Sequence, residues 1–383
     1  MSLFINTYVR NSLFSNLRLL TPCRSFRMTQ VKNLYSPSAL GVDGYLQTRK
    51  RSKEQFANFA DKFRAKMNDF VSDAKNMIFT EDLKNMVHIA EPTDLQLVLK
   101  MINKFNTQQS EYRFGSFVFG PVIMRMFHFL DAPKEALECF YDPKNDGFFD
   151  QLVSFHILMD LLYSHEMYDE MYQVFNRIRE KQINMTKFPK YPVVLVLAAC
   201  YKQNTPKSLE YASKLWTEMT STGVVPVRRG VTYFAALALK QGVPHVAIES
   251  ISTQKQHYVT IRNIKAMALA DMGRLDDALP VLKAVLNIDM PGEKDKHTFF
   301  EETIERVRIA TEKANNKDLQ KEFNDISKAL KERGLIENKT LDQLLNTEIQ
   351  MVKRSDRPRG ASSFQNKQMP FGLRQKKPNT NII

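Results

Sequence analysis

Through residues 118–290 the chain repeats one pattern of apolar and polar positions. Five short segments, KEALECF (134–140), DEMYQVF (169–175), EYASKLW (210–216), HVAIESI (245–251) and DDALPVL (276–282), each place a small or flexible residue four positions before a large apolar one. The pairs are Ala136/Phe140, Met171/Phe175, Ala212/Trp216, Ala247/Ile251 and Ala278/Leu282, and their first members stand 35, 41, 35 and 31 residues apart. An i, i+4 spacing puts both residues on one helix face, where the small one lets a neighbouring helix approach and the large one fills the groove beside it. Each segment follows an apolar stretch of helical length: VFGPVIMRMFHFL, SFHILMDLLY, YPVVLVLAACYK, VTYFAALALKQG and VTIRNIKAMALADMG. In the clearest unit a helix over about 153–164 precedes one over about 168–181.

One helical hairpin of about 35 residues cannot bury its own apolar face and must stack on copies of itself. The pattern therefore predicts an all-α superhelical solenoid of antiparallel helix-turn-helix repeats with helical capping ends. Thr232 or Thr260 beside a valine marks a helix start, and Gly223 with Pro226 marks a helix exit. The expected organisation is a leader over 1–42, a helical region over 43–117 with a break at Glu91-Pro92-Thr93-Asp94, the repeat array over 118–297, capping helices over 298–350, and a tail over 351–383. In the capping region Phe299, Ile304, Val307, Ala310 and Ala314 form an apolar face.

Charge changes the picture at three places. The formal net charge is +13, but residues 1–42 carry five basic residues and no acid, and residues 351–383 carry eight basic residues against Asp356. Residues 181–265 hold twelve basic residues against Glu210, Glu218 and Glu249, so the middle of the chain carries one focused positive segment. The basic, acid-free lead has Ile5, Val9, Leu13 and Leu17 at i, i+4 spacing, the composition of a mitochondrial transit peptide; the alternative is a disordered basic terminus. The tail, rich in Pro, Gly, Ser and Asn, is expected to be disordered, as an RNA- or ribosome-anchoring arm or a solubilising end.

Candidate chemistry is sparse. Cys23, Cys139 and Cys200 form no CxxC pair, the seven histidines are isolated, and GxxxxGK[ST], HExxH and GxSxG are all missing. No apolar run approaches the roughly 20 residues of a membrane span. A non-catalytic protein without cofactor or metal is expected.

The unit LVSFHILMDLLYSHEMYDEMYQVFNRIREKQINMT (152–186) resembles the pentatricopeptide repeat motif nearly end to end. Residues 208–226 match its second half, including the Gly-x-x-Pro ending, and 259–286 resemble it again through GRLDDAL. The resemblance implies single-stranded RNA as partner, with bases chosen by the fifth and last residues of each unit. Carried over, those positions are His156 and Thr186 in the first unit, Val194 and Val227 in the second, Thr232 or Phe234 in the third, and Asn263 or Arg262 in the last. Val194 and Val227 have no side-chain hydrogen-bonding group, so the family's base code departs here. Charge carries the rest of the RNA expectation: Lys187, Lys190, Lys202, Lys207, Arg228, Arg229, Lys240, Arg262 and Lys265 lie in the basic segment, and Phe234 offers a stacking ring. Arg49-Lys50-Arg51-Lys53 is a further phosphate contact or an exposed charge run. By resemblance the protein acts in the mitochondrial matrix on maturation, processing, stability or translation of transcripts, beside a processing nuclease or the mitoribosome. The alternative is a protein-binding helical adapter or a mitoribosome-associated structural component.

Overall fold

The computed structural model describes residues 33–108, 117–255, 258–287 and 297–350. The transit-peptide reading of 1–32 and the disordered-tail reading of 351–383 lie outside the described residues.

The described chain is an all-α stack of helical hairpins. A short α1 (Pro37–Leu40) leads into the pairs α2 (Val42–Phe56) with α3 (Ala60–Ser72), α4 (Thr80–Ile89) with α5 (Leu95–Thr107), and α6 (Gly120–Phe129) with α7 (Pro133–Tyr141). The clearest predicted unit follows as α8 (Leu152–Ser164) and α9 (Tyr168–Lys181), within a residue of the expected bounds. Next come α10 (Lys190–Gln203) with α11 (Pro206–Ser221), α12 (Arg228–Lys240) with α13 (Pro244–Ile251), and α14 (Val259–Asp271) with α15 (Leu275–Ala284). The last hairpin is α16 (Glu301–Lys313) with α17 (Lys317–Glu332), and α18 (Leu341–Leu345) ends the described helices. First helices pack on first helices from α2 through α16, and from α4 onward each packs on the second helix of its own hairpin, while α3 packs on α5 and α4. The stacking thus extends on both sides of the 118–297 array that the sequence suggested.

The repeated pairs sit where their chemistry requires. Ala136, Met171, Ala212, Ala247 and Ala278 are fully buried, as are Phe175 and Leu282, while Trp216 keeps one edge toward solvent. Three first helices, α8, α10 and α12, are enclosed on every side: all ten residues from 154 to 163, from 192 to 201 and from 230 to 239 are buried. A helix enclosed this way needs neighbours on three flanks and a cover on the fourth.

The turn inside each hairpin repeats as well. In four units the first helix ends on a left-handed residue, Asp131, Glu166, Gly242 or Gly273, with φ between 53° and 72°. The amide after it donates back to a carbonyl five residues earlier: Ala132 to Phe127, Met167 to Leu162, Val243 to Ala238 and Arg274 to Leu269. This closure satisfies carbonyls that the helix end leaves open. Gly223, at φ 71°, closes α11 as expected. Thr232 is a correction, because it lies inside α12 and its hydroxyl donates to the Arg229 carbonyl at 2.8 Å. The chain enters that helix earlier, at Arg228, because Val227 is the last extended residue.

The inner flank of the first helices, the one turned away from their own second helices, is covered by the two ends of the described chain. Residues 34–42, expected to belong to a flexible lead, are folded: α1 packs on α8, and Leu34, Tyr35 and Leu40 are buried in the main core. α18 packs on α12 and α14, burying Leu341 and Leu345 in the same core. The two ends meet as Tyr35 bridges to Ile349 in parallel, with Ser36 N–H donating to Ile349 O at 3.1 Å and Ile349 N–H to Leu34 O at 2.8 Å. α16 and α17 are joined to the stack by Phe299–Phe300 paired in parallel with Ile336–Glu337. Ala314, placed on the buried face of α16 by the sequence, is exposed, since its helix has reached its last turn there.

Candidate nucleic-acid interface

The chain builds this surface from the starts of its first helices, which lie side by side along one rim of the stack. Lys187 and Lys190 stand exposed at the start of α10, and Arg228 stands exposed at the start of α12. Tyr191 is half exposed beside them, with its ring stacked on His156 at 5.1 Å between centroids and 13° between planes. The Arg228 guanidinium lies 3.8 Å from the centre of the Tyr258 ring at the start of α14. Cations, aromatic faces and free backbone N–H groups therefore share this rim, and helix N-termini favour anions. Lys187 also sits 3.5 Å from Glu218, which pairs with Arg179, so part of its charge is already answered.

A second group of cations lies at the opposite rim, where the first helices end. Lys202 is half-buried and held below the usual lysine range, chiefly by desolvation. Lys240 lies 3.8 Å from the Tyr201 ring centre and 3.4 Å from Asp342, while Lys207 is exposed on the first turn of α11.

The positions carried over as base readers are placed differently. His156 is buried between Tyr35 and Tyr191, and burial, followed by nearby His128, pushes its pKa down to about 4. Thr232 is buried, and Phe234 is buried with its ring stacked on Trp216 at 4.7 Å. Asn263 is wholly buried and its amide is fully used: it donates to Val259 O (2.8 Å) and Thr298 O (3.3 Å), and accepts from Phe300 N–H (2.9 Å) and the Thr303 hydroxyl (2.7 Å). Arg262 is buried with its guanidinium 3.1 Å from His297, and burial lowers its pKa. Thr186 and Lys265 are half-buried. Arg229 turns inward and donates to Leu345 O at 2.7 Å and Thr347 O at 2.5 Å. The structure brings Lys187, Lys190 and Arg228 together on one rim, and sends Arg229 and Asn263 into internal contacts.

In the basic run near the N-terminus, Arg49 is buried and donates to His88 O (2.9 Å) and Ala90 O (2.6 Å), so it ties α2 to the end of α4. Among the described residues, no three His, Cys, Asp or Glu side chains cluster to hold a metal, and no helix is long and apolar enough to cross a membrane. Cys139 and Cys200 are buried, and burial raises both thiols, that of Cys200 to about 12.

Sequence reasoning passed over Tyr191, Tyr258 and Tyr35. The first two had a readable signal, since each follows a lysine within three residues just before a first helix begins, in KFPKY and KQHY.

No family model matches the chain. A mouse (Mus musculus) protein named pentatricopeptide repeat-containing protein 2, mitochondrial, is 29% identical over 272 residues, covering 70% of this chain and 70% of the relative. This chain resembles that protein. Its Xenopus laevis namesake is 29% identical over the same shares, and the Homo sapiens one is 27% identical, with 69% of its length covered. The likeness extends over most of both chains.

Proposed function

We propose that this protein is a non-catalytic, sequence-tolerant binder of single-stranded RNA in mitochondria, acting in transcript maturation, processing, stability or translation. The observation that carries the reading is the rim where Lys187, Lys190 and Arg228 stand exposed beside Tyr191 and Tyr258 at adjacent helix starts. Phosphate neutralisation and ring stacking need no base code, which fits a chain whose carried-over base positions, Thr186 excepted, are apolar or buried. The basic tail carries eight further cations against one acid. The mitochondrial setting is supported by the acid-free basic lead and by relatives that are named mitochondrial. A processing nuclease or the mitoribosome is the expected neighbour of such a binder.

A salt titration tests it. With about five phosphates neutralised, log affinity for single-stranded RNA falls against log salt with a slope near −3.5. A flat response removes the electrostatic basis of the reading.

A further inference from the structure

We infer that the inner face of the hairpin stack is a peptide site, filled in cis by residues 341–349, and that its ligand class is a short helical Leu-acid-x-x-Leu segment. The inference stands apart from the RNA reading, because the contacts of Arg229, Tyr233 and Glu302 are to peptide main chain.

Three elements make up the site. The first grips main chain: Arg229 donates to the carbonyls of Leu345 and Thr347, and the Tyr233 hydroxyl donates to the same Leu345 carbonyl. The second is a seat for a carboxylate. Asp342 accepts from the Tyr201 hydroxyl at 2.9 Å, with Lys240 at 3.4 Å and Lys202 nearby. Burial opposes ionisation of Asp342, but the hydroxyl and the two ammonium groups outweigh it and hold the carboxyl below its usual range. The third is apolar: Leu341 and Leu345, four apart on one face of α18, are both buried. Glu302 completes the frame by accepting the Leu341 N–H.

This set suits a peptide and opposes nucleic acid. Asp160, wholly buried on α8, accepts the N–H groups of Leu34 (3.1 Å) and Tyr35 (3.0 Å) and lies 3.2 Å from His128. Burial pushes the Asp160 carboxyl above its usual range, and both it and Glu302 pair with backbone N–H donors that a nucleic acid lacks. The seated segment also ties down residues 34–36 through the Ile349 bridge.

The test uses the full chain and a labelled synthetic peptide of residues 339–350, followed by fluorescence anisotropy. In the wild type the cis segment holds the site, and apparent affinity for an added peptide scales with the fraction left open. Leu345→Ala weakens the cis segment only, so the variant binds the peptide at least about tenfold more tightly than wild type. A peptide carrying Asp342→Lys loses at least about tenfold, and oligouridylate does not displace the native peptide. Equal affinity for wild type and variant, or displacement of the peptide by oligouridylate, overturns the inference. Hydrogen exchange on the wild-type chain serves if Leu345→Ala does not fold. The Leu341, Ile349 and Ser36 amides are expected to be protected and to open together, and exchange of 341–349 at free-peptide rates overturns the inference as well. The salt slope judges the RNA reading separately.

Discussion

Replacing both Lys190 and Arg228 by alanine is the sharpest perturbation of the proposed RNA rim. Both side chains are exposed, and Lys190 and Arg228 begin consecutive first helices, so an extended strand crossing the rim meets both. Each lost phosphate contact removes about 0.7 from the salt slope on single strands. At roughly 0.15 M salt, two contacts amount to about 1.2 log units, a loss of around fifteenfold in affinity, and at roughly 0.5 M the same pair amounts to only about threefold. The slope itself should become shallower by about 1.4. The assay is anisotropy of a labelled oligouridylate across a salt series, with circular dichroism to confirm that helicity is unchanged. A double variant with wild-type affinity and slope would refute the rim, and a loss independent of salt would assign the effect to structure instead of charge.

Three further expectations concern the fold that holds the rim. Glu166 carries a left-handed backbone at the α8–α9 turn, where equivalent units place Gly242 and Gly273, so Glu166→Gly should stabilise the protein by about 1 kcal/mol and raise its melting temperature; a decrease would contradict the strain assigned there. His156 is buried and neutral with a folded pKa of about 4, so the unfolded state binds its proton first and stability falls as pH drops from about 6.5 toward 4; about 2 kcal/mol disappears between pH 7 and pH 5, and His156→Phe should flatten that limb in denaturant titrations. Asn263→Ala leaves the Phe300 N–H and Thr303 hydroxyl without their acceptor inside the core and should cost about 3 kcal/mol in chemical denaturation, while a loss below about 0.5 kcal/mol would mean that the network relaxes freely.

The hairpins were legible because their signal is a physical requirement stated in residue types. A helix that takes a close neighbour needs Ala136, Ala212, Ala247 or Ala278 at one place and a large apolar side chain one turn on. The turn between paired helices was harder to read, since the same left-handed conformation is filled by Asp131, Glu166, Gly242 and Gly273, and only two of these are the residue that backbone sterics would select. Asn263 matched a family position, yet no local pattern indicates that Thr298, Phe300 and Thr303 return from 35 to 40 residues away to consume its amide. LDQLLNTE showed an amphipathic helix with two leucines to bury, and amphipathicity names the buried face without naming the surface that receives it. That surface is the inner flank of α12 and α14, reached across more than a hundred residues of chain.

The central claim is that RNA runs along the rim where the first helices begin and leaves the inner face to peptide. Ultraviolet crosslinking of the purified full chain to oligouridylate, with the modified residues mapped by mass spectrometry, tests it most directly. The account predicts adducts at Tyr191 and Tyr258, lost when salt is raised. Adducts concentrated at Tyr201 and Tyr233 on the inner face, or none above a chain carrying Lys190→Ala and Arg228→Ala, would contradict it.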